Sequence, residues 1–436
     1  MRWWTSEVAR VTGGRLIGAD VEVDGVAIDS RRLGDGQLFV PVVAGRDGHD
    51  FIPDALAAGA PAYLSHRPPR YGTAVVVDDT LAALAALGRH ARSRLGDRVV
   101  AVTGSVGKTS VKDLLAAALG ARWLTSASTG SFNNELGVPL TLLAAPDGVE
   151  AVVVEMGARA PGDLRLLCDL AQPTVGVVTH VGLVHTQTFG TLQQVARAKA
   201  ELVESLPASG TAVLNADDPL VAAMAAATSA SVLRFGLAPA AEVTADGVVL
   251  DDELRPSFTM RSPWGDAEVR LSVRGRHQVS NALAAAAGAL ACDVDPAAVA
   301  DGLARASLSP WRMDLVRSPS GALILNDAYN ANPVSVAGAL RALAELNAGR
   351  RIAVLGTMAE LGDVSAREHR AVAALAAELG IRVVAVGEPA YGGEVVGGPD
   401  EALAALGPLG EGDAVLVKGS RVAGLERLAA RLSAPG

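Results

Sequence analysis

The run RVVAVTGSVGKTSVKDLLAAAL, residues 98–119, decides how this chain is to be read. Its apolar beginning reads as a buried strand, Gly104 and Gly107 as a tight turn, and the pattern from Lys108 onward as a helix. Glycines let backbone N–H groups turn inward around a phosphate, and the helix N-terminus adds partial positive charge. Lys108 is placed to reach phosphate oxygens and the Thr109 hydroxyl to bind Mg²⁺. The common form of this loop has a glycine five positions before the second one, but that position here is Val102. The loop is therefore a shortened form. An ordinary glycine turn is the competing reading, and the order strand, glycines, Lys-Thr, helix argues against it. A nucleoside triphosphate site is expected.

Outward from this loop, strand-like runs recur as AVVVEM, TVGVVTHV, GTAVLN and SVLRFG, with helical patterns between the first several, as in a parallel sheet with crossovers. Residues 241–274 alternate apolar and polar positions instead, which suggests an antiparallel patch. Upstream, short β-rich runs (VEVDGVAI, QLFVPVV, TAVVV) and an Ala-rich helix near 52–60 read as a small α/β unit. After SLSPWRMD the alternation restarts with ALILNDAY, a helix over 333–346, RIAVLGTM, a helix over 365–379, RVVAVG and DAVLVKGS. The expected fold is α/β in three domains: a small N-terminal α/β domain (1–77), a central P-loop-type domain (78–308) with a mostly parallel sheet and the antiparallel patch, and a C-terminal Rossmann-like domain (309–436). The 436 residues agree with about three domains of about 150 each.

Composition narrows the function classes. The net charge of −9 argues against nucleic-acid binding, which needs a basic footprint. Mean hydropathy is +0.30, yet no stretch approaches the roughly 18 consecutive apolar residues of a spanning helix. Membrane insertion is not expected. The opening MRWWTSEVARVTGG has no apolar run or cleavage pattern, so a secretory signal is not expected either and a cytoplasmic location is. Two cysteines, Cys168 and Cys292, exclude a disulfide scaffold. Only four lysines, Lys108, Lys112, Lys199 and Lys418, stand among 38 basic side chains. The bland reading is a GC-rich genome that drifts surface lysine to arginine, and that bias sharpens the question of why four remain. Arginine supplies neither a compact ammonium nor an amine that can lose its proton.

Several segments hold candidate chemistry. Glu155 ends an apolar strand, where ligands of open α/β sheets collect, and a carboxylate there suits a metal bound to phosphates. His180 and His185 end the next strand; one reads as packing, and His185 as facing the same crevice. Lys199 lies 14 residues beyond His185. Carbamylation by CO₂ would turn its amine into an anionic oxygen ligand, although the residues alone do not single that out. Asn133 and Asn134 read more readily as turn caps. Asn281 can cap a helix or recognise adenine, which needs both donor and acceptor. In the last unit Arg312 can pair with phosphates, Asp327 with ribose hydroxyls, and Tyr329 can pack against a base. Lys418 and Arg421 read as a carboxylate-binding pair. For each of these a solvated loop residue is the alternative.

Together TGSVGKTS, SFNNELGVPLTLL, VVEMGARAPGDL, HTQTFG, RAKAEL, GRHQVSNALAAAA, NDAYNANP, LGTMAELG and VKGSR, with DSRR and GRDGHDF upstream, resemble the Mur ligases of bacterial cell-wall synthesis, and nearest their dipeptide-adding branch. The resemblance covers nearly the whole chain. Two departures are His180 in THVG, where the family often has Asn, and STGSFNN in place of GNFNN. The resemblance implies an ATP-dependent ligase, acting as a monomer, that joins D-alanyl-D-alanine to UDP-N-acetylmuramoyl-tripeptide through an acyl phosphate. It implies ATP contacts at Gly104, Ser105, Gly107, Lys108, Thr109, Ser110, Asn281, Arg312, Asp327, Tyr329 and Asn330. It implies Mg²⁺ at Thr109 and Glu155, with a second ion at His185 and carbamylated Lys199. The UDP portion would lie near Asp29, Ser30, Arg31, Asp47, Gly48 and His49, and the dipeptide near Lys418, Arg421 and Asn332. Amino-acid-adding Mur ligases and folylpolyglutamate synthetase are the alternatives within the class, and YNANP argues against both. A P-loop kinase or GTPase is disfavoured by the shortened loop, and a non-catalytic binding protein by the joint presence of Glu155, His185 and Lys199.

Overall fold

The structure is a computed structural model that describes residues 1–182 and 189–434. His185 lies outside the described residues.

The first unit holds a five-stranded sheet in the order Arg15–Ile17, Thr73–Val76, Ala62–Ser65, Leu38–Phe39, Val26–Ala27. Its first pair is antiparallel and the rest are parallel. The expected Ala-rich helix is there, at Ile52–Ala57. Helix Thr80–Ser93 then leads out of the unit. It starts where Asp79 accepts hydrogen bonds from the Leu81 and Ala82 amides (2.7 and 3.2 Å), capping donors that the helix itself leaves unpaired. Its buried face joins Trp3, Leu64 and Val75 of the first unit to Val152 and Val154 of the next in one continuous apolar core.

Six parallel strands form the central sheet, in the order Ser231–Phe235, Thr211–Asn215, Val175–Val178, Arg98–Thr103, Ala151–Glu155, Thr125–Ala127. These strands read as unbroken apolar runs because helices cover both faces. Lys108–Leu119 and Gln278–Leu290 pack on one face. Gly137–Ala144, Asp163–Ala171 and Leu192–Glu204 pack on the other. From Arg98–Thr103 the chain first builds to one side, then crosses to the other at Val175. The order reverses there, and a crevice opens beyond the strands' carboxyl ends. The antiparallel patch is a three-stranded sheet of Thr244–Leu250, Pro256–Arg261 and Ala267–Arg270.

The third unit is a six-stranded sheet in the order Asp314–Arg317, Leu323–Asn326, Asp413–Lys418, Arg350–Gly356, Arg382–Val386, Glu394–Val396. Only the pairing of the first two is antiparallel. Both edge strands escape a sequence reading because they are short and partly solvated. The last long strand, Asp413–Lys418, inserts between two earlier ones, so Val417 is in register with Asn326. That insertion sets Lys418 beside Asp327. No described helix is long and apolar enough to cross a membrane.

Candidate active site

The two glycines of the loop are there for physical reasons. Gly104 has φ +145° and Gly107 φ +83°, conformations that side chains rarely adopt. A Cβ on Gly104 would lie 2.0 Å from Thr179 Oγ1, and one on Gly107 would lie 2.6 Å from Asn281 Oδ1. The loop is also tied to the end of the neighbouring strand. The Ser105 amide donates to the His180 carbonyl (2.7 Å), Ser105 Oγ accepts from the Gly182 amide (2.9 Å), and Thr179 Oγ1 donates to the Val106 carbonyl (2.5 Å). Lys108 folds back so that Nζ donates to the Gly104 carbonyl at 2.7 Å. Burial pushes its pKa down; Glu155 opposes that shift and Arg312 adds to it.

Strand register brings Glu155 level with Val102, at the mouth of the loop. Its side chain is 1% exposed. Oε2 accepts from Thr109 Oγ1 at 2.7 Å and Oε1 from Asn133 Nδ2 at 2.8 Å, while the Glu155 amide donates to Ser128 Oγ at 3.0 Å. Two oxygen donors, a carboxylate and a hydroxyl, thus meet beside a phosphate-binding turn. That is the donor chemistry of a hard divalent cation.

These groups line a cavity of about 780 Å³. Gly104, Ser105, Gly107, Lys108, Thr109, Ser110 and Glu155 form one wall. Lys199, from helix Leu192–Glu204, lies in the same cavity and is 2% exposed. Burial first, and Lys108 second, bring its pKa down to about 7. Asn281 also lines the cavity, its Nδ2 donating to Gln278 Oε1 at 2.8 Å.

The facing wall comes from the third unit: Arg312, Asp327, Tyr329, Asn330, Asn332 and Lys418. Arg312 stacks 4.2 Å from the centre of the Tyr329 ring, and its buried Nε has no hydrogen-bond partner among the described residues. Trp311 (φ +62°) and Met313 (φ +58°) flank it in left-handed backbone, each at a cost of about 1–2 kcal/mol. Strain of this kind, beside a half-buried cation with a buried and unpaired Nε, marks a site built for a ligand. The Tyr329 hydroxyl reaches across the cavity to Ser131 Oγ.

The Mur ligase middle domain matches residues 102–289, the Mur ligase glutamate ligase domain 311–421, and the Mur ligase family catalytic domain 22–92. The UDP-N-acetylmuramoyl-tripeptide–D-alanyl-D-alanine ligase of Mycobacterium tuberculosis H37Rv is 40% identical, over 98% of this chain and 97% of its own. The chain belongs to the Mur ligase family. Two solved structures agree with it. MurF from Acinetobacter baumannii superposes with a TM-score of 0.90 at 31% identity, covering 99% of both chains. The Thermotoga maritima MurF ligase in complex with ADP gives 0.82 at 28% identity, over 94% of this chain and 97% of that one.

Several residues of this Mur ligase singled out in the sequence are engaged within the protein itself. Lys418 and Arg421 do not form a pair facing one anion. Lys418 is 2% exposed, and its Nζ is held by Asp327 Oδ2 (2.5 Å) and the Asn330 carbonyl (2.8 Å), because the inserted strand lands next to Asp327. Arg421 lies past the strand end in a short turn, outside the cavity lining, with its guanidinium 4.4 Å from the Trp311 ring. Asp327 is correspondingly engaged within its own unit, since Oδ1 also accepts from the Met313 amide at 3.2 Å. Asn332 caps helix Pro333–Glu345 through the Ser335 amide (2.9 Å).

In the first unit, Asp29, Ser30, Arg31, Asp47, Gly48 and His49 lie outside the cavity lining, although Ile28 reaches it. Asp29 accepts from Arg31 Nε and Nη2 (2.9 and 2.8 Å), which holds its pKa down at about 2. Asp47 binds the His49 amide (2.9 Å) and Nδ1 (2.7 Å) and pairs with Arg67. Burial lowers the His49 pKa.

Three contributors to the site carry little signal in the sequence. Asn133 grips Glu155, whereas its neighbour Asn134 holds the turn before the next helix, accepting from the Gly137 amide at 3.0 Å. Ser128, whose Oγ accepts from the Glu155 amide, stands in no recognisable motif. His180, read as packing, lines the cavity with Nδ1 2.7 Å from Asp218 Oδ2.

Proposed function

We propose that this Mur ligase joins D-alanyl-D-alanine to UDP-N-acetylmuramoyl-tripeptide at the expense of ATP, as a cytoplasmic monomer. The observation that carries the reading is the meeting, in one cavity, of the glycine loop with Thr109 and Glu155 and of the Arg312–Tyr329–Lys418 wall. In this reading residues 1–77 hold the UDP portion, with Asp29–Arg31 and Asp47–His49 nearby. Residues 78–308 bind ATP, and residues 309–436 complete the ATP site and receive the dipeptide.

A carboxylate is a poor acylating agent, and phosphorylation supplies the missing leaving group. The tripeptide's terminal carboxylate oxygen attacks the γ-phosphorus, and ADP leaves. The dipeptide amine then attacks the acyl carbon, loses a proton, and phosphate leaves. Two anions must approach in the first step, and placed cations offset the repulsion. Lys108, released from the Gly104 carbonyl, follows the transferring charge, and the loop amides hold the phosphates. Arg312, with its unspent Nε, takes phosphate oxygens from the opposite wall. Thr109 and Glu155 would hold one Mg²⁺, and His185 with Lys199 as its carbamate a second; bound there, the ions neutralise phosphate charge. Lys199 fits that role because an amine with a pKa of about 7 keeps a substantial neutral fraction near neutral pH, and the neutral form is the one that adds CO₂. Asn281, packed on Gly107, faces the nucleotide. Closure of the third unit excludes water that would hydrolyse the acyl phosphate.

Incubating the purified protein with ATP and UDP-muramoyl-tripeptide tests the reading. Phosphate release that depends on D-alanyl-D-alanine is the expected result. Release supported by a single amino acid instead would assign the protein to an amino-acid-adding branch.

A further inference from the structure

Of the four lysines, Lys112 has no part in the chemistry above. It sits one turn past Lys108 with its side chain 3% exposed. Its ammonium has three acceptors: Asp113 Oδ1 at 2.6 Å, the Ser128 carbonyl at 2.8 Å and the Gly130 carbonyl at 3.2 Å. An ammonium carries three N–H donors and no acceptor, so this set satisfies it in full. A planar guanidinium with five donors fits the same pocket badly. That is a physical reason for an amine to persist here in an arginine-rich chain.

The contacts extend in both directions. Asp113 Oδ2 accepts from the backbone N–H of Ser309 at 2.7 Å, in the segment that leads into the third unit. On the other side, Ser128 Oγ accepts from the Glu155 amide (3.0 Å) and from Thr141 Oγ1 (3.2 Å). The loop that begins at Ser128 also carries Ser131, which meets Tyr329 of the third unit, and Asn133, which holds the Glu155 carboxylate. An unbroken polar path therefore runs from Ser309 through Asp113, Lys112 and Ser128 to Glu155.

We propose that Lys112 and Asp113 are positioning residues that set the 128–134 loop, and Glu155 with it, according to where the third unit sits. The proposal rests on the ligase function above for its kinetic readout. When the Ser309 amide withdraws, Asp113 loses one of its two partners and the Lys112 ammonium is no longer held at both carbonyls. Glu155 is then set correctly only when the third unit is in place.

Ser309→Pro deletes the N–H that Asp113 accepts and changes no cavity side chain. Lys112→Arg keeps the charge but not the three-way fit. Each is expected to lower kcat about tenfold while the KM for ATP stays near wild type. Because both act along one path, the double variant should be no slower than the slower single one. If Lys112→Arg does not fold, Asp113→Asn replaces it, keeping an acceptor for Ser309 and breaking the ion pair. Wild-type kcat in Ser309→Pro, effects that multiply in the double variant, or a fall in melting temperature with unchanged kcat would each overturn the proposal. Turnover of the wild type with a different acceptor amine would instead overturn the substrate assignment, and the same comparison would be made with that amine.

Discussion

Thr109 Oγ1 donates to Glu155 Oε2 at 2.7 Å across 46 residues of sequence. The contact exists because the glycine loop and the Glu155 strand end side by side where the sheet order reverses. It places one hydroxyl and one carboxylate at the point where triphosphate charge must be neutralised.

Glu155→Gln keeps the hydrogen-bonding shape and removes the charge. Turnover should fall about a hundredfold, with a rise in the Mg²⁺ concentration needed for half-maximal rate. Phosphate release measured across a Mg²⁺ series checks this; a rate within threefold of wild type, by rough allowance for experimental scatter, would remove Glu155 from the metal site.

Lys199 gives a pH dependence with a definite sign. With its pKa at about 7, the amine holds a proton below that pH and is free above it, and only the free amine adds CO₂. Activity should therefore rise as pH increases through about 7 and respond to added bicarbonate. Lys199→Arg cannot be carbamylated, so its turnover should collapse while calorimetric binding of a non-hydrolysable ATP analogue largely survives. Near-normal turnover in that variant would exclude the carbamate.

The buried Lys418–Asp327 pair makes a stability prediction. Lys418→Met leaves the Asp327 carboxylate without its cation, at a cost of about 3–5 kcal/mol in denaturant unfolding. Adding Asp327→Asn should recover much of that loss. If Lys418→Met alone leaves stability unchanged and only raises the KM for the dipeptide, Lys418 is a ligand residue after all.

Gly107→Ala places a methyl group at φ +83° and 2.6 Å from Asn281 Oδ1. Nucleotide affinity should drop at least about tenfold, since the loop must distort to accept it. Calorimetric titration with an ATP analogue measures this directly, and unchanged affinity would mean that the turn does not hold the phosphates.

The parts of the site that could be read in the sequence are those fixed by local order. The loop needs only a strand, two glycines and a helix in succession, and Glu155 needs only to end an apolar run. The Lys418–Asp327 contact depends on the last long strand inserting between two earlier ones, and strand order leaves no mark in local pattern. Asn133 and Asn134 show the same limit at closer range. They are identical and adjacent, yet one holds a backbone amide of the turn while the other holds a carboxylate, and only the course of the turn separates them. The edge strands Asp314–Arg317 and Glu394–Val396 were missed because partial solvation blurs the apolar signal of a short strand.

The apolar core shared across helix Thr80–Ser93 has a mechanical consequence. Prying the first unit off the second would wet Trp3, Leu38, Leu64 and Val75 together, so those two units travel as one body. The third unit keeps its own clusters and borrows little more than Leu254 from its neighbour. Opening and shutting of the cavity therefore falls to a single jaw working against a stationary pair.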